Sequence, residues 1–286
     1  MIPQSVIAAA IISAAVNIFG WVILCVIYNV KNKTSHLVTL IGAAAFFVSQ
    51  IVLRLPVLQV LSLKSAPFAA FVSTTAGKIL IGAFTAGLFE ETARLICARF
   101  ILKGDKRSLK QSIAFGLGHG TCEDVILIGV TMLTYVIYMT AINNGTFVSM
   151  FYVGGDPAGP TDDILLTMNA LSDQLTSIKA GDVYLGIAER VFAMIYHVFA
   201  SVLIFKGVRT GKSVQYWLAA AAAHTIFNSV AVTMPNVWID GGVISFFRFY
   251  VLPVTMPDAW LAEGAMFILA AGAAFYIIRE LKNESK

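Results

Sequence analysis

The sequence predicts an all-α fold: a polytopic transmembrane helical bundle of about seven spans, N-out and C-in, with an outer amphipathic helix. Of its 286 residues 58% are hydrophobic, only 13% are charged, and the mean hydropathy is +0.81. A soluble domain carries roughly a quarter charged residues, because its surface must be polar. The deficit of charge therefore indicates a surface that faces lipid.

The individual spans follow from hydropathy, since crossing a bilayer takes about 20 mostly apolar residues. The first candidate has no Lys or Arg before its apolar run, so we expect a retained helix rather than a cleaved signal peptide. The seven predicted spans are 5–30, 36–55, 77–102, 111–141, 183–205, 213–234 and 258–279.

Basic residues are distributed unequally between the two predicted sides of the membrane. With the N-terminus outside, the inner loops and their flanks hold thirteen of the twenty Lys and Arg residues, and the outer segments hold five. Cytoplasmic loops carry such an excess, so the bias predicts the orientation. It also explains the sequence pI near 8.9 without a nucleic-acid partner. We expect a multi-pass protein of a bacterial plasma membrane.

Two further segments lie on the predicted outer side. The loop 143–182 contains leucines and a methionine at roughly helical spacing between 161 and 178, which is typical of an amphipathic helix on a membrane surface; ordinary loop packing is the alternative. The apolar stretch 242–254 is too short to span and is expected to be re-entrant or interfacial. No internal repeat is evident, so 1–286 is expected to be a single membrane domain.

Many ionisable residues fall inside the predicted spans, where each charge costs on the order of 2.5–3.5 kcal/mol on insertion. Counted from the cytoplasmic ends at 1.5 Å per residue, Glu90 and His224 lie about 18 Å deep, and His119 and His197 about 14 Å deep. Four helices thus bring them to one level of the bilayer. The full set is Glu90, Glu91, Arg94, His119, Glu123, Asp124, Glu189, Arg190, His197 and His224.

Helical spacing indicates which of these side chains share a face. Arg94 follows Glu90 by four residues and Glu91 by three, so it can pair with either. Glu123 follows His119 by four and is expected to orient it, as Asn228 can orient His224. The predicted catalytic residues are Glu90, Glu91, His119, His197, His224 and Asn228, with Arg94, Glu123, Glu189 and Arg190 in support.

This combination of side chains suits hydrolysis. A buried carboxylate beside imidazoles can deprotonate a water molecule, and His and Asn can donate to a developing oxyanion. Two other classes remain open: an ion- or proton-coupled transporter, since intramembrane Glu and His also form relays, and a non-catalytic scaffold with polar helix contacts.

A family resemblance rests on the same residues. Glu90-Glu91-Thr92-Ala93-Arg94, Phe115-x-x-x-His119 and His224-x-x-x-Asn228 resemble the three motifs of the CAAX protease and bacteriocin-processing superfamily. The chain more closely resembles the YhfC branch, through Phe89-Glu90-Glu91, Gly116-Leu117-Gly118-His119-Gly120, Glu189-Arg190 with His197, and His224. Its span plan is also distantly similar to that of the APH subunit of gamma-secretase.

The resemblance implies a glutamic-type intramembrane endopeptidase. It implies that Glu90 activates water with His119, that His224 and Asn228 stabilise the oxyanion, and that Arg94 and the second glutamate brace the site. Two residues, not the three usual in the superfamily, separate Glu91 from Arg94, so either glutamate could face the water. The implied substrate is a membrane-embedded or membrane-associated peptide or protein.

No cofactor is expected, because the sequence has no HExxH pair. The alternative is a zinc-dependent version of the same protease. Three histidines and a glutamate can hold zinc and leave a position open for water. The ligands would then come from Glu90, His119, His197 and His224.

Overall fold

The computed structural model describes residues 1–151, 161–233, 237–238, 250–251 and 256–284. Helices form nearly all of this part of the chain, which confirms the all-α class and the polytopic membrane fold. The described strands, β1 (Val237–Trp238) and β2 (Tyr250–Val251), form an antiparallel pair. Apart from β2, the predicted re-entrant segment 242–254 lies outside the described residues.

Ten helices are described along the chain, and a short 3₁₀ turn, Gly104–Arg107, joins the fourth to the fifth. They are α1 (Gln4–Asn32), α2 (His36–Lys64), α3 (Ala66–Ser73), α4 (Thr75–Ile101), α5 (Leu109–Asn143), α6 (Phe147–Phe151), α7 (Asp162–Ser177), α8 (Ala180–Arg209), α9 (Ser213–Thr233) and α10 (Met256–Glu284).

Within the described ranges, five helices are long and apolar enough to cross a membrane: α1, α2, α5, α8 and the part of α10 from Glu263 onward. The pair α3–α4, bent by 90°, adds a sixth if the two are counted as one span. Helix α9 has 21 residues, but polar side chains such as His224 and Asn228 lower its hydropathy. The count of seven spans and the N-out orientation therefore remain predictions.

Helix α2 is longer than the sequence predicts. The predicted span ends at 55, just before Pro56, whereas the helix continues to Lys64. Pro56 lies in the first turn after a π-helical segment, Phe47–Arg54, where a missing N–H is tolerated. The span bounds 36–55 stay a prediction, but Arg54 lies well within the helix rather than at its end.

Wide π-helical turns interrupt four of the long helices. Such turns are rare overall, but those that occur are often found at functional sites. They rotate side chains out of the regular α-helical register. One lies in α1, one in α2, two in α4 and one in α5, at Val16–Gly20, Phe47–Arg54, Lys78–Phe84, Cys97–Ile101 and Asp124–Gly129.

Glycines bring α5 into close contact with its neighbours at the centre of the bundle. A Cβ atom on Gly118 would lie 2.0 Å from the Thr39 carbonyl oxygen of α2, and one on Gly116 would lie 2.6 Å from Val198 Cα of α8. Neither contact is possible with a larger residue unless the helices move apart. These glycines therefore allow the close packing of α5 against α2 and α8, which sets His119 between the two helices.

Helix α7 lies in the predicted outer loop. Its Met168, Leu171 and Leu175 are buried in a hydrophobic cluster that includes Ile2. Asn143, at the end of α5, accepts a hydrogen bond from the Ile2 N–H at 2.7 Å and donates one to the Ile2 carbonyl at 2.9 Å. The apolar face of α7 thus packs on protein, where it joins the N-terminus to the end of α5.

Candidate active site

Four helices bring the predicted catalytic acids and histidines together inside the bundle. Helix α4 supplies both glutamates, and α5, α8 and α9 supply one histidine each. All five side chains are buried, with residue exposures of 5% or less, so none of them faces the lipid. They are Glu90, Glu91, His119, His197 and His224.

Glu90 lies at the centre of this group. Its Oε2 atom is 3.0 Å from His119 Nε2, 3.8 Å from His224 Nε2 and 4.0 Å from His197 Nδ1. Its other oxygen, Oε1, accepts a hydrogen bond from Gln50 Nε2 at 2.9 Å. One carboxylate oxygen therefore faces all three imidazoles, and the other faces an amide.

Glu91 has a different environment from Glu90, although the two are neighbours in sequence. Its Oε1 lies 2.8 Å from His224 Nδ1, and its Oε2 lies 3.3 Å from Arg94 Nε. The residue has no exposed surface. Because the Glu91 carboxylate accepts from Nδ1, the His224 ring is held with Nε2 directed toward Glu90.

Arg94 is fully buried and joins α4 to α8. Its Nη1 donates to the His197 carbonyl at 2.9 Å and to Ser201 Oγ at 2.8 Å, and its Nη2 lies 2.8 Å from His197 Nδ1. A guanidinium can only donate, so His197 Nδ1 accepts this bond. The ring proton of His197 then lies on Nε2, which is 3.0 Å from Glu123 Oε2.

The sequence predicted that Glu123 orients His119, but the two side chains are not hydrogen-bonded to each other in the structure. Glu123 binds the ring of His197, and its other oxygen accepts from Arg190 Nη1 at 3.1 Å. The spacing places Glu123 and His119 on one face of α5, but His119 points toward Glu90 on α4. One turn further along, Glu123 lies opposite α8, where Arg190 and His197 both donate to it.

Arg190 links the remaining predicted supporting residues. It donates to Asp124 Oδ1 at 3.4 Å as well as to Glu123, and it forms a further ion pair with Glu189. Arg190 and His197 are linked indirectly, because both contact the Glu123 carboxylate. These carboxylates share one guanidinium beside the site and do not reach Glu90 directly.

Asn228 lies one turn beyond His224 on α9 and is half-buried. Its side chain forms no hydrogen bond with another residue in the described part of the chain. Its role in oxyanion binding therefore stays a prediction.

Two contacts of the site were missed from the sequence. Gln50 on α2 reaches Glu90, and Arg54 donates to Gln50 Oε1 at 2.9 Å. Both were overlooked because Arg54 was assigned to an outer segment. The available signal was the pairing of a Gln and an Arg four residues apart in an apolar helix. Ser201 is a further contact of the site, as a partner of Arg94.

The site has the donor chemistry of a divalent metal centre. In the described chain, Glu90, His119 and His197 can each offer one ligand atom, all within 4.8 Å of one another. Two imidazoles and one carboxylate are the ligands of many catalytic zinc sites, which leave a fourth position for water. His224, the fourth predicted ligand, lies beside this group with Nε2 3.8 Å from Glu90 Oε2. The residues therefore fit a metal, provided that His197 gives up its hydrogen bond with Arg94 and binds the metal instead.

A family model described as YhfC intramembrane metalloprotease matches residues 12–246. The chain belongs to the YhfC family. The matched range contains all the predicted site residues, from Glu90 to Asn228, and also Gln50. Membership of the wider CAAX protease superfamily remains a prediction. The sequence suggested a site without a cofactor, with zinc as the alternative. The description of the family as a metalloprotease favours the zinc alternative.

One curated YhfC relative is an uncharacterized membrane protein of Bacillus subtilis (strain 168). It is 28% identical over 153 residues, which are 54% of this chain and 55% of the relative. The chain thus matches about half the length of this relative. No solved structure matches the chain. Together with the apolar helices, the YhfC match identifies a multi-pass integral membrane protein.

Proposed function

We propose that this protein is a metal-dependent intramembrane endopeptidase that cleaves membrane-embedded or membrane-associated peptides and proteins. The observation that carries the proposal is the carboxylate of Glu90, buried in a transmembrane bundle with three imidazole nitrogens within 4.0 Å of one oxygen. A buried carboxylate so surrounded can take and return protons in a water-poor site. The description of the YhfC family supports the same reaction class.

The metal would be held by Glu90, His119 and His197, with His224 beside them. When bound, it would supply Lewis-acid polarisation of the water and of the substrate carbonyl. The protein itself excludes bulk water and fixes the ring nitrogens around one carboxylate oxygen. Glu91 orients His224 for this purpose through its bond to Nδ1.

The chain's own groups account for the proton movements. In a site without a metal, Glu90 Oε2 accepts a proton from water as the water oxygen bonds to the carbonyl carbon, whose π electrons move to the carbonyl oxygen. A Glu90 that holds a metal cannot also be this base, and Nε2 of His224, whose Nδ1 is bound by Glu91, would then accept the proton. When the C–N bond breaks, the amine nitrogen leaves with the bond's electron pair and takes that proton. His224 and Asn228 are proposed to donate to the oxyanion between these two steps.

A second candidate is the glutamic-type protease, which hydrolyses the peptide bond without a metal. One observation favours it: Arg94 Nη2 lies 2.8 Å from His197 Nδ1, so a cation's hydrogen bond already occupies one candidate ligand nitrogen. In this version the ring of His197 serves to hold Arg94, and Glu90 acts with His119 alone.

Metal analysis separates the two candidates. We expect the purified protein to contain about one zinc or similar ion per chain, chelation to abolish cleavage, and re-addition of the metal to restore it. Glu90→Gln should lower the bound metal, whereas Arg99→Gln, an exposed residue of the same helix, should not. Full cleavage by metal-free protein would overturn the metal-dependent mechanism and leave the glutamic one.

The endopeptidase function itself is tested by comparing membrane proteomes. Cells with the Glu90→Gln variant should accumulate uncleaved membrane proteins that cells with the wild-type chain convert to fragments. A Lys64→Gln variant is the control, since this exposed residue lies far along α2 from the site. Identical proteomes in all three strains would contradict the proposed proteolysis and would favour a transporter or a scaffold.

A further inference from the structure

A buried network of polar side chains leads from Arg54 on α2 to the candidate base. Arg54 donates to Gln50 Oε1 at 2.9 Å, and Gln50 Nε2 donates to Glu90 Oε1 at 2.9 Å. All three residues are buried, with 7%, 4% and 3% of their surface exposed. This network ends on Oε1 of Glu90, whereas the histidines lie near Oε2, and the reaction as proposed makes no use of it.

Arg54 is itself held rigidly. Its Nη2 donates to the carbonyls of Ile81 at 3.0 Å and Gly82 at 2.6 Å, and its Nε donates to Thr85 Oγ1 at 2.8 Å. The two carbonyls belong to the π-helical segment Lys78–Phe84, where the change of hydrogen-bond pattern leaves carbonyls in need of donors. Helix α2 is thereby fastened to α4 five to nine residues before Glu90.

The charge of Arg54 fixes which way the Gln50 amide points. A guanidinium has no acceptor, so the atom facing it must be the amide oxygen, and the NH₂ group must face Glu90. That NH₂ also lies 3.4 Å from the Ala86 carbonyl. An amide N–H can only donate, so Glu90 Oε1 is the acceptor of this bond.

From this arrangement we propose that Gln50 and Arg54 are positioning residues of the reaction, and that they reserve Oε2 of Glu90 as its single reactive oxygen. The inference rests on the proposed function and deepens it, because it assigns the chemistry to one atom. Gln50 holds Oε1 and sets the rotation of the carboxylate, so that Oε2 points at His119. Arg54 acts on Glu90 through Gln50, and its bonds to Thr85 Oγ1 and to two backbone carbonyls hold it against α4.

Two variants separate donation from packing. Gln50→Leu removes the donor, and Gln50→Glu keeps the size and the acceptor for Arg54 but offers no N–H in its ionised form. We expect both to lower kcat by about 10- to 100-fold with KM within about twofold, because misplacement of a reacting group by about 1 Å has such an effect. If Gln50 only filled space, the isosteric Gln50→Glu would keep the wild-type kcat, and the proposal would be overturned.

Asn17 provides a matched control. It is a fully buried amide on α1, whose Nδ2 donates within its own helix to the Ser13 carbonyl at 2.8 Å. The variant Asn17→Leu removes a buried amide without touching Glu90, so kcat should stay within about twofold of wild type. A loss in Asn17→Leu as large as in the Gln50 variants would also count against a specific role for Gln50.

Infrared spectroscopy gives a readout that needs no substrate. The carboxylate band of Glu90 is the one that disappears in Glu90→Gln, and loss of the Gln50 donor should shift it in Gln50→Leu and Gln50→Glu but not in Asn17→Leu. A band that stays in place would overturn the inference even if the protein cleaves peptides. A shifted band in a protein that cleaves nothing would sustain the contact while the proposed function fails.

Discussion

Replacement of Glu90 by glutamine is expected to lower the rate of cleavage by about 10²- to 10⁴-fold while the protein remains folded. Glutamine keeps the size of the side chain but cannot accept a proton from water. The atom that is lost, Oε2, lies 3.0 Å from His119 Nε2 and within reach of two further imidazoles. The measurement is kcat in proteoliposomes, with a substrate found by the proteome comparison, beside size-exclusion and thermal-unfolding profiles.

Glu91→Gln is the matched comparison, since it makes the same chemical change one residue away. The Glu91 carboxylate is bound to Arg94 and His224 and has no exposed surface. We therefore expect Glu91→Gln to lower the melting temperature more than Glu90→Gln does, and to keep a larger share of the activity. The opposite pattern, a stable but inactive Glu91→Gln and an active Glu90→Gln, would assign the base to Glu91.

The choice between the two glutamates could not be made from the sequence. They lie about 100° apart on one helix, and Arg94 is spaced to pair with either. Both pairs occur in the structure, at 3.5 Å for Glu90 and 3.3 Å for Glu91. What separates the two is the set of neighbouring helices, because α5 and α8 meet the face of Glu90 and α9 reaches both. Sequence spacing describes one helix at a time and says nothing about such neighbours.

The transmembrane helices and the depth of the site residues could largely be predicted, because both follow from simple physical rules. Apolar length identifies helices that need a bilayer, and the helical rise places Glu90, His119, His197 and His224 at one depth. These four side chains do lie together in the structure. Depth alone does not give direction around the helix axis, however. For that reason Glu123 was paired with His119 on its own helix rather than with His197 on α8.

The part of the site on α2 was missed for a different reason. Gln50 and Arg54 belong to a π-helical segment, and no residue pattern in an apolar helix predicts a wide turn reliably. The turn carries the helix past Pro56, so Arg54 lies inside the bundle and not at its edge. A polar pair within an apolar helix is therefore better tested as a candidate contact of the site before it is assigned to a loop.

Arg94→Met is expected to have the largest effect on stability, a loss of about 3–5 kcal/mol in the free energy of unfolding. Methionine fills much of the same volume but leaves the carboxylate of Glu91, with no exposed surface, without its cation. It also removes the donors to the His197 carbonyl and to Ser201 Oγ that join α4 to α8. The measurement is unfolding in mixed micelles, with Arg99→Met as the control because Arg99 is an exposed arginine on the same helix.

A double variant tests whether the lost ion pair is the cause. Removal of both charges in Glu91→Gln with Arg94→Met should destabilise the protein less than Arg94→Met alone, since the buried Glu91 carboxylate is then no longer left without its cation. If the double variant is the less stable of the two, the contacts of Arg94 with α8 dominate and the ion-pair explanation is wrong.

The same double variant bears on the metal. Arg94 Nη2 donates to His197 Nδ1, a candidate ligand nitrogen, and a metal at that atom must displace it. In the folded double variant we therefore expect tighter zinc binding than in wild type, because the competing guanidinium of Arg94 is gone. Unchanged zinc affinity would mean that His197 does not bind the metal through Nδ1. In that case His197 serves to hold Arg94, and the proposed metal would have to be held by Glu90 and His119 with His224 as their third partner.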